Sequence, residues 1–151
     1  MTKILVAGLG NELRGDDAAG LLTARAIRAL RLENVDVEEH SGDVAALAES
    51  MARHAEVVVV DAVVSSAPPG TVRELNADSA VTRARSSSHG LGVSEALALA
   101  RALGATPRVR IIGIEGSQFA LGSRPCTAVA RAAREVAERF ASQLEESAPC
   151  A

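Results

Sequence analysis

Two spacings of apolar residues alternate along the chain. Short apolar or alternating runs predict strands over Lys3–Ala7, Val35–Glu39, Val57–Asp61, Gly70–Leu75 and Val109–Gly113. Between them, apolar residues recur every three or four positions and predict helices over Asp17–Arg31, Val44–His54, Ser94–Leu103 and Pro125–Gln143. Val57-Val58-Val59-Val60 is apolar without a break, as a central strand covered on both faces requires. In the last helix Val129, Ala133, Val136, Phe140 and Leu144 fall on one stripe, with Pro125 expected in its first turn. Ser41 and Asp43 are candidate caps for the second helix. Strands that alternate with helices predict a three-layer α/β/α fold around a mostly parallel sheet. Gly70–Leu75 follows the third strand too closely for a crossover helix, so it is expected to pair antiparallel at an edge. No domain boundary is visible over residues 1–151, and Glu145–Ala151 reads as a frayed tail.

Composition narrows the function classes. The 151 residues carry a net charge of −3 with acids and bases interspersed, so there is no basic footprint for nucleic acid. Phe119 and Phe140 are the only aromatics, too few for a base-stacking platform. No apolar run is long enough to span a bilayer, and no secretory leader pattern opens the sequence, so a cytoplasmic location is expected. Cys126 and Cys150 do not form a metal-type pair and are expected to be free thiols.

The chemistry concentrates at strand ends. Gly8-Leu9-Gly10-Asn11-Glu12-Leu13-Arg14-Gly15-Asp16-Asp17 joins the first strand to the first helix. Glycine turns of this kind often hold a phosphate, but two adjacent carboxylates repel an anion and attract a cation. A dinucleotide site fits poorly: Leu13 stands where a third glycine belongs, although Glu38 and Glu39 end the second strand as a ribose-binding acid would. Asp61 closes the valine run, His89 sits in Ser86-Ser87-Ser88-His89-Gly90-Leu91-Gly92, and Glu115 follows the last strand. All are expected on the carboxyl rim, where open α/β sheets place their sites. Carboxylates with an imidazole suit zinc, nickel or a similar ion.

Each residue also has a plainer reading. Asp16 and Asp17 can cap a helix and complement its dipole. Asp61 can bond loop amides, His89 can be an ordinary loop histidine, His54 suits a helix C-terminus, and His40 is a weaker rival to His89. The serine run lacks the Gly-x-Ser-x-Gly pattern of a nucleophile elbow, and Cys126 reads first as a packing residue.

Three blocks in order resemble the hydrogenase maturation endopeptidases: Gly8 to Asp17, Val59-Val60-Asp61-Ala62-Val63, and Ser88-His89-Gly90-Leu91-Gly92. The resemblance implies a twisted five-stranded sheet between helices, phosphorylase/hydrolase-like, with one antiparallel strand. It implies metal contact by Asp17, Asp61 and His89, and it leaves Asp16 as a base or an orienting residue. The implied activity removes a C-terminal extension from the [NiFe] hydrogenase large-subunit precursor after nickel insertion. The nickel arrives in the substrate, and zinc or a similar ion can replace it. The implied partner is that precursor, with no nucleic acid and no membrane. Ala18 and Gly116-Ser117 depart from the family pattern, which often has glycine after the acidic pair and in many relatives proline after the last strand. Two rivals remain open at this point. One is a non-catalytic nickel-sensing docking module; the other is a peptidyl-tRNA hydrolase, whose Thr-Arg-His-Asn block is missing.

Overall fold

The valine run sets the architecture. The computed structural model describes residues 3–76 and 90–149, and Val57–Val60 lie in its central strand, buried on both faces. Among the described residues five strands form one sheet: β1 (Ile4–Leu9), β2 (Val35–His40), β3 (Glu56–Val63), β4 (Val72–Asn76) and β5 (Arg108–Glu115). Their order is β2-β1-β3-β5-β4, parallel except that β4 runs antiparallel to β5. The short link before β4 enforces that reversal, as expected from the sequence. The helices are α1 (Ala19–Ala29), α2 (Val44–Ala52), α3 (Gly90–Ala102) and α4 (Thr127–Ser147).

Side chains alternate across a strand, so β3 feeds two separate cores. Val57 and Val59 pack with Leu5, Ala7 and Leu9 against α2 and α3. Val58, Val60 and Ala62 pack with Val6, Ile112 and Ile114 against α1 and α4. The α4 stripe of Val129, Ala133, Val136 and Phe140 is buried there as its spacing predicts, with Leu144 packed at its margin. With almost no aromatic residues, both cores rest on many aliphatic side chains, each contributing about 1.5–3 kcal/mol when fully buried.

Helix α1 lies unusually close to the sheet. A Cβ on Gly20 would collide with the carbonyl oxygens of Leu9 and Val60, and one on Gly8 with the Gly20 carbonyl. The two glycines thus let the first turn of α1 rest on the ends of β1 and β3. That contact places the segment just before α1 over the rim.

Several boundaries differ from the sequence expectation. The first helix divides: Gly15–Ala18 is a 3-10 turn and α1 proper begins at Ala19. Neither Asp16 nor Asp17 caps it, because the flanking positions Arg14 and Ala18 make no side-chain cap and both carboxylates bond elsewhere. Asp43 does cap α2, accepting from the Ala46 N–H at 3.0 Å. Pro125 stands outside α4, with Cys126 at the cap, since the Cys126 N–H is taken by the Asp16 carboxylate and fixes the entry two residues later. The end of α4 runs to Ser147, three residues into the segment expected to fray. Cys126 is a free thiol; Cys150 lies outside the described residues.

Candidate functional site

The strand order changes its direction of growth between β1 and β3. The chain leaves β1 toward one edge through α1, then returns through α2 to the other side as β3. Ligands of open α/β sheets lie in the crevice beyond such a switch point. Asp17 follows β1 and Asp61 lies near the end of β3, the two strands that border this switch point. Gly8 pairs with Val60, which puts Leu9 and Asp61 at one level on neighbouring strands. Asp61 continues the Val57, Val59 series and therefore faces the α2/α3 side. Helix α3 begins on that side at Gly90.

Both side chains are buried, Asp17 at 7% exposure and Asp61 at 3%. Asp61 Oδ1 accepts from the Ala62 N–H at 2.8 Å. Asp17 Oδ2 accepts from the Asn11 N–H at 3.1 Å and closes the turn that follows β1. Asn11 shapes the same turn, since its Oδ1 accepts from the Leu13 N–H at 2.9 Å. Gly10 is required where the turn folds back: its φ is +150°, and a Cβ there would strike the Asp17 carbonyl. The spacing of glycine, asparagine and aspartate in this block is therefore the spacing of one closed loop. Asn11 did not stand out in the sequence, although a side chain that bonds its own backbone two residues on is a known turn signal.

Asp16 does something different. It is completely buried, and its oxygens accept three backbone N–H bonds, from Ser117 at 2.8 Å, Gln118 at 3.0 Å and Cys126 at 2.7 Å. Burial alone pushes this carboxyl up, but the N–H groups of Ser117, Cys126 and Gln118 outweigh it and hold it below its ordinary 3.8. Backbone bonds extend the seam: Asp16 N–H to Gln118 O at 2.7 Å, Gly15 N–H to Ser123 O at 3.1 Å and Gly122 N–H to Leu13 O at 2.6 Å. The turn carrying Asp17 and the 116–126 loop are thus one unit.

A stability prediction follows from this carboxylate. Asp16→Asn keeps one acceptor oxygen but turns an N–H donor toward another N–H. The expected loss is about 2 kcal/mol, or roughly 4–8 °C in Tm for a chain of this size. Because the folded value is depressed, the wild-type contribution is complete above 3.8 and fades as pH falls through the folded value. Thermal melts at neutral and at acid pH should therefore show the two proteins converging on acidification. A gap that stays constant with pH would contradict the assignment.

The other candidates find local partners. Glu115 is buried and holds the β3–β4 loop, accepting from Ser65 N–H at 2.7 Å, Ser65 Oγ at 2.8 Å and Ala67 N–H at 3.2 Å. His40 Nε2 meets Glu38 at 2.8 Å, and His54 joins the Ser50 carbonyl at 2.7 Å to Asp36 at 2.8 Å. Glu39 is paired with Arg25 and Arg28, each at 2.8 Å, which occupies the acid a dinucleotide would need. His89 and Ser86–Ser88 lie outside the described residues. Among the described residues no three histidine, cysteine or acidic side chains gather to hold a metal ion. No helix among them is long and apolar enough to cross a membrane.

A family model described as hydrogenase maturation protease matches residues 28–143, well over half of the chain and including Asp61 and His89. The chain belongs to the hydrogenase maturation protease family. It is accordingly a peptidase, and the match decides against the peptidyl-tRNA hydrolase alternative. Solved structures of this family share the fold. The [NiFe] hydrogenase maturation protease HybD from Thermococcus kodakarensis is 29% identical with a TM-score of 0.77, covering 94% of this chain and 98% of its own. The hydrogenase maturating endopeptidase HybD from E. coli is 26% identical with a TM-score of 0.76, covering 96% and 93%. No curated protein sequence matches significantly. The five-stranded sheet with one antiparallel strand is the arrangement this protease family shares.

Proposed function

We propose that this protease removes the C-terminal extension of a [NiFe] hydrogenase large-subunit precursor, and that it does so only once the precursor carries its nickel. The observation that supports this reading is that two buried carboxylates follow the adjacent strands at the switch point, Asp17 after β1 and Asp61 near the end of β3. Buried carboxylates at adjacent strand ends favour a nearby cation, and with an imidazole they match a borderline divalent ion. His89, immediately before α3, is the third ligand in this reading. The nickel is part of the substrate, held by the precursor's own cysteines, and zinc or a similar ion can stand in for it. When bound, such an ion polarises a neighbouring carbonyl or activates a water.

The chain's own residues do the positioning. Asp17 and Asp61 fix the ion, and through it the scissile bond, against the rim. Asp16 acts as the orienting residue of the two adjacent aspartates, because all three of its bonds go to the 116–126 backbone. That bonding leaves the turn bearing Asp17 rigid before substrate arrives. Leu13 and Leu121 sit on the two joined loops at 60% and 69% exposure, an apolar surface suited to a folded protein substrate.

Purified protein mixed with nickel-loaded precursor is the direct test. The expected result is a shortened large subunit and a released C-terminal peptide, both weighed by mass spectrometry, with metal-free precursor left intact. A stable complex without cleavage would make the chain a nickel-sensing docking module instead.

A further inference from the structure

Beside the carboxylate crevice, on the same face as Asp61, a small cleft opens between the ends of β1 and β2 and the starts of α2 and α3. Its walls are Leu9, Val44, Leu47 and Gly92, with His40 and Asp43 at its edge, and it encloses about 100 Å3. The floor belongs to the α2/α3 core. The polar edge is already engaged, His40 with Glu38 and Asp43 with the Ala46 N–H. The described walls of the cleft are thus mainly apolar. Leu9 stands level with Asp61 on the adjacent strand, roughly 5 Å away across the sheet.

A protease must hold a polypeptide across its reacting centre, and the side chains next to the cleaved bond lie within a few ångströms of it. We propose that this cleft receives one aliphatic side chain of the substrate, from a residue flanking the cleaved bond, and so sets part of the cleavage specificity. The volume supports an aliphatic group over an aromatic one. A cavity of roughly 150 Å3 is what admits a benzene ring, and this cleft is smaller. The inference rests on the protease reading above, and it adds the class of side chain selected and the residues that select it.

Val44 and Gly92 make the selection adjustable. Val44 is half-buried at the start of α2. A Cβ on Gly92 would touch Val44 Cγ2 at 3.7 Å, an ordinary contact, so Gly92→Ala narrows the cleft without strain. Gly92 also lies inside a helix, where alanine is the better residue.

The test uses the full chain and nickel-loaded precursor, with each residue flanking the cleaved bond changed singly to alanine or phenylalanine. Val44→Phe should lower kcat/KM on unaltered precursor roughly 10- to 100-fold. One precursor variant, with an aliphatic residue cut to alanine, should recover most of that loss. Val44→Ala should gain on the matching phenylalanine variant. Gly92→Ala should shift preference toward the smaller residue, and it decides alone if Val44→Phe does not fold by circular dichroism. Equal slowing on every precursor, or no change in size preference, would overturn the pocket. Failure of the wild-type protein to cleave any precursor would instead overturn the function on which the pocket rests.

Discussion

Asp61→Asn is expected to slow precursor processing by about 10²–10³-fold, with Asp17→Asn close behind. The substitution preserves shape and removes the negative charge that holds a cation at the switch point. Placement and polarisation by a bound ion are worth several kcal/mol, and each 1.36 kcal/mol is tenfold in rate. Asp61 is almost fully buried, yet the bond to the Ala62 N–H survives in an amide that keeps its oxygen in place. The variant should therefore melt within a few degrees of wild type, and a loss of activity explained by unfolding is excluded by that same melt. Mass analysis of the processed large subunit gives the rate. Processing by Asp61→Asn at the wild-type rate would remove the carboxylates from the mechanism.

Gly20→Ala should produce a large loss of stability. The new Cβ would meet the carbonyl oxygens of Leu9 and Val60, which belong to two strands at once and cannot rotate away. Overpacking of ordinary side chains costs about 1–3 kcal/mol, and here the obstacle is backbone. An effect of 3 kcal/mol or more is expected, a fall of roughly 6–12 °C in Tm. Gly8→Ala should cost a similar amount, because its Cβ would press on the Gly20 carbonyl. Since both changes push α1 off the same contact, the double variant should lose less than the sum of the two. Strict additivity in a thermal or urea titration would show that the two sites do not share that contact. Lifting α1 also shifts the turn that precedes it, so processing should fall even below the melting range.

The sheet was legible because burial on both faces leaves a direct mark, the unbroken Val57–Val60 run. The antiparallel edge was legible from the shortness of the link before it. Asp61 stood out as a candidate because a carboxylate at the end of such an apolar run is a charge near buried surface, which needs a partner. The bonding of Asp16 was not legible, because its partners Ser117, Gln118 and Cys126 lie 101 to 110 positions away and are backbone groups, which no residue type announces. The same distance hid the start of α4: Pro125 points to a first-turn position, but the bond from the Cys126 N–H to Asp16 moves the entry. Glu115 read as a rim carboxylate, and only the folded loop reveals that Ser65 and Ala67 claim both its oxygens.

The seam around Asp16 has a further consequence for how substrate preference can change among related proteases. Two surface segments far apart in the gene are stitched into a single plate, and either one alone has lost half its stitches. A chimera that imports residues 116–126 from a relative inherits contacts cut to a different pattern. Swapping specificity by grafting therefore means moving 11–17 and 116–126 together, as one part.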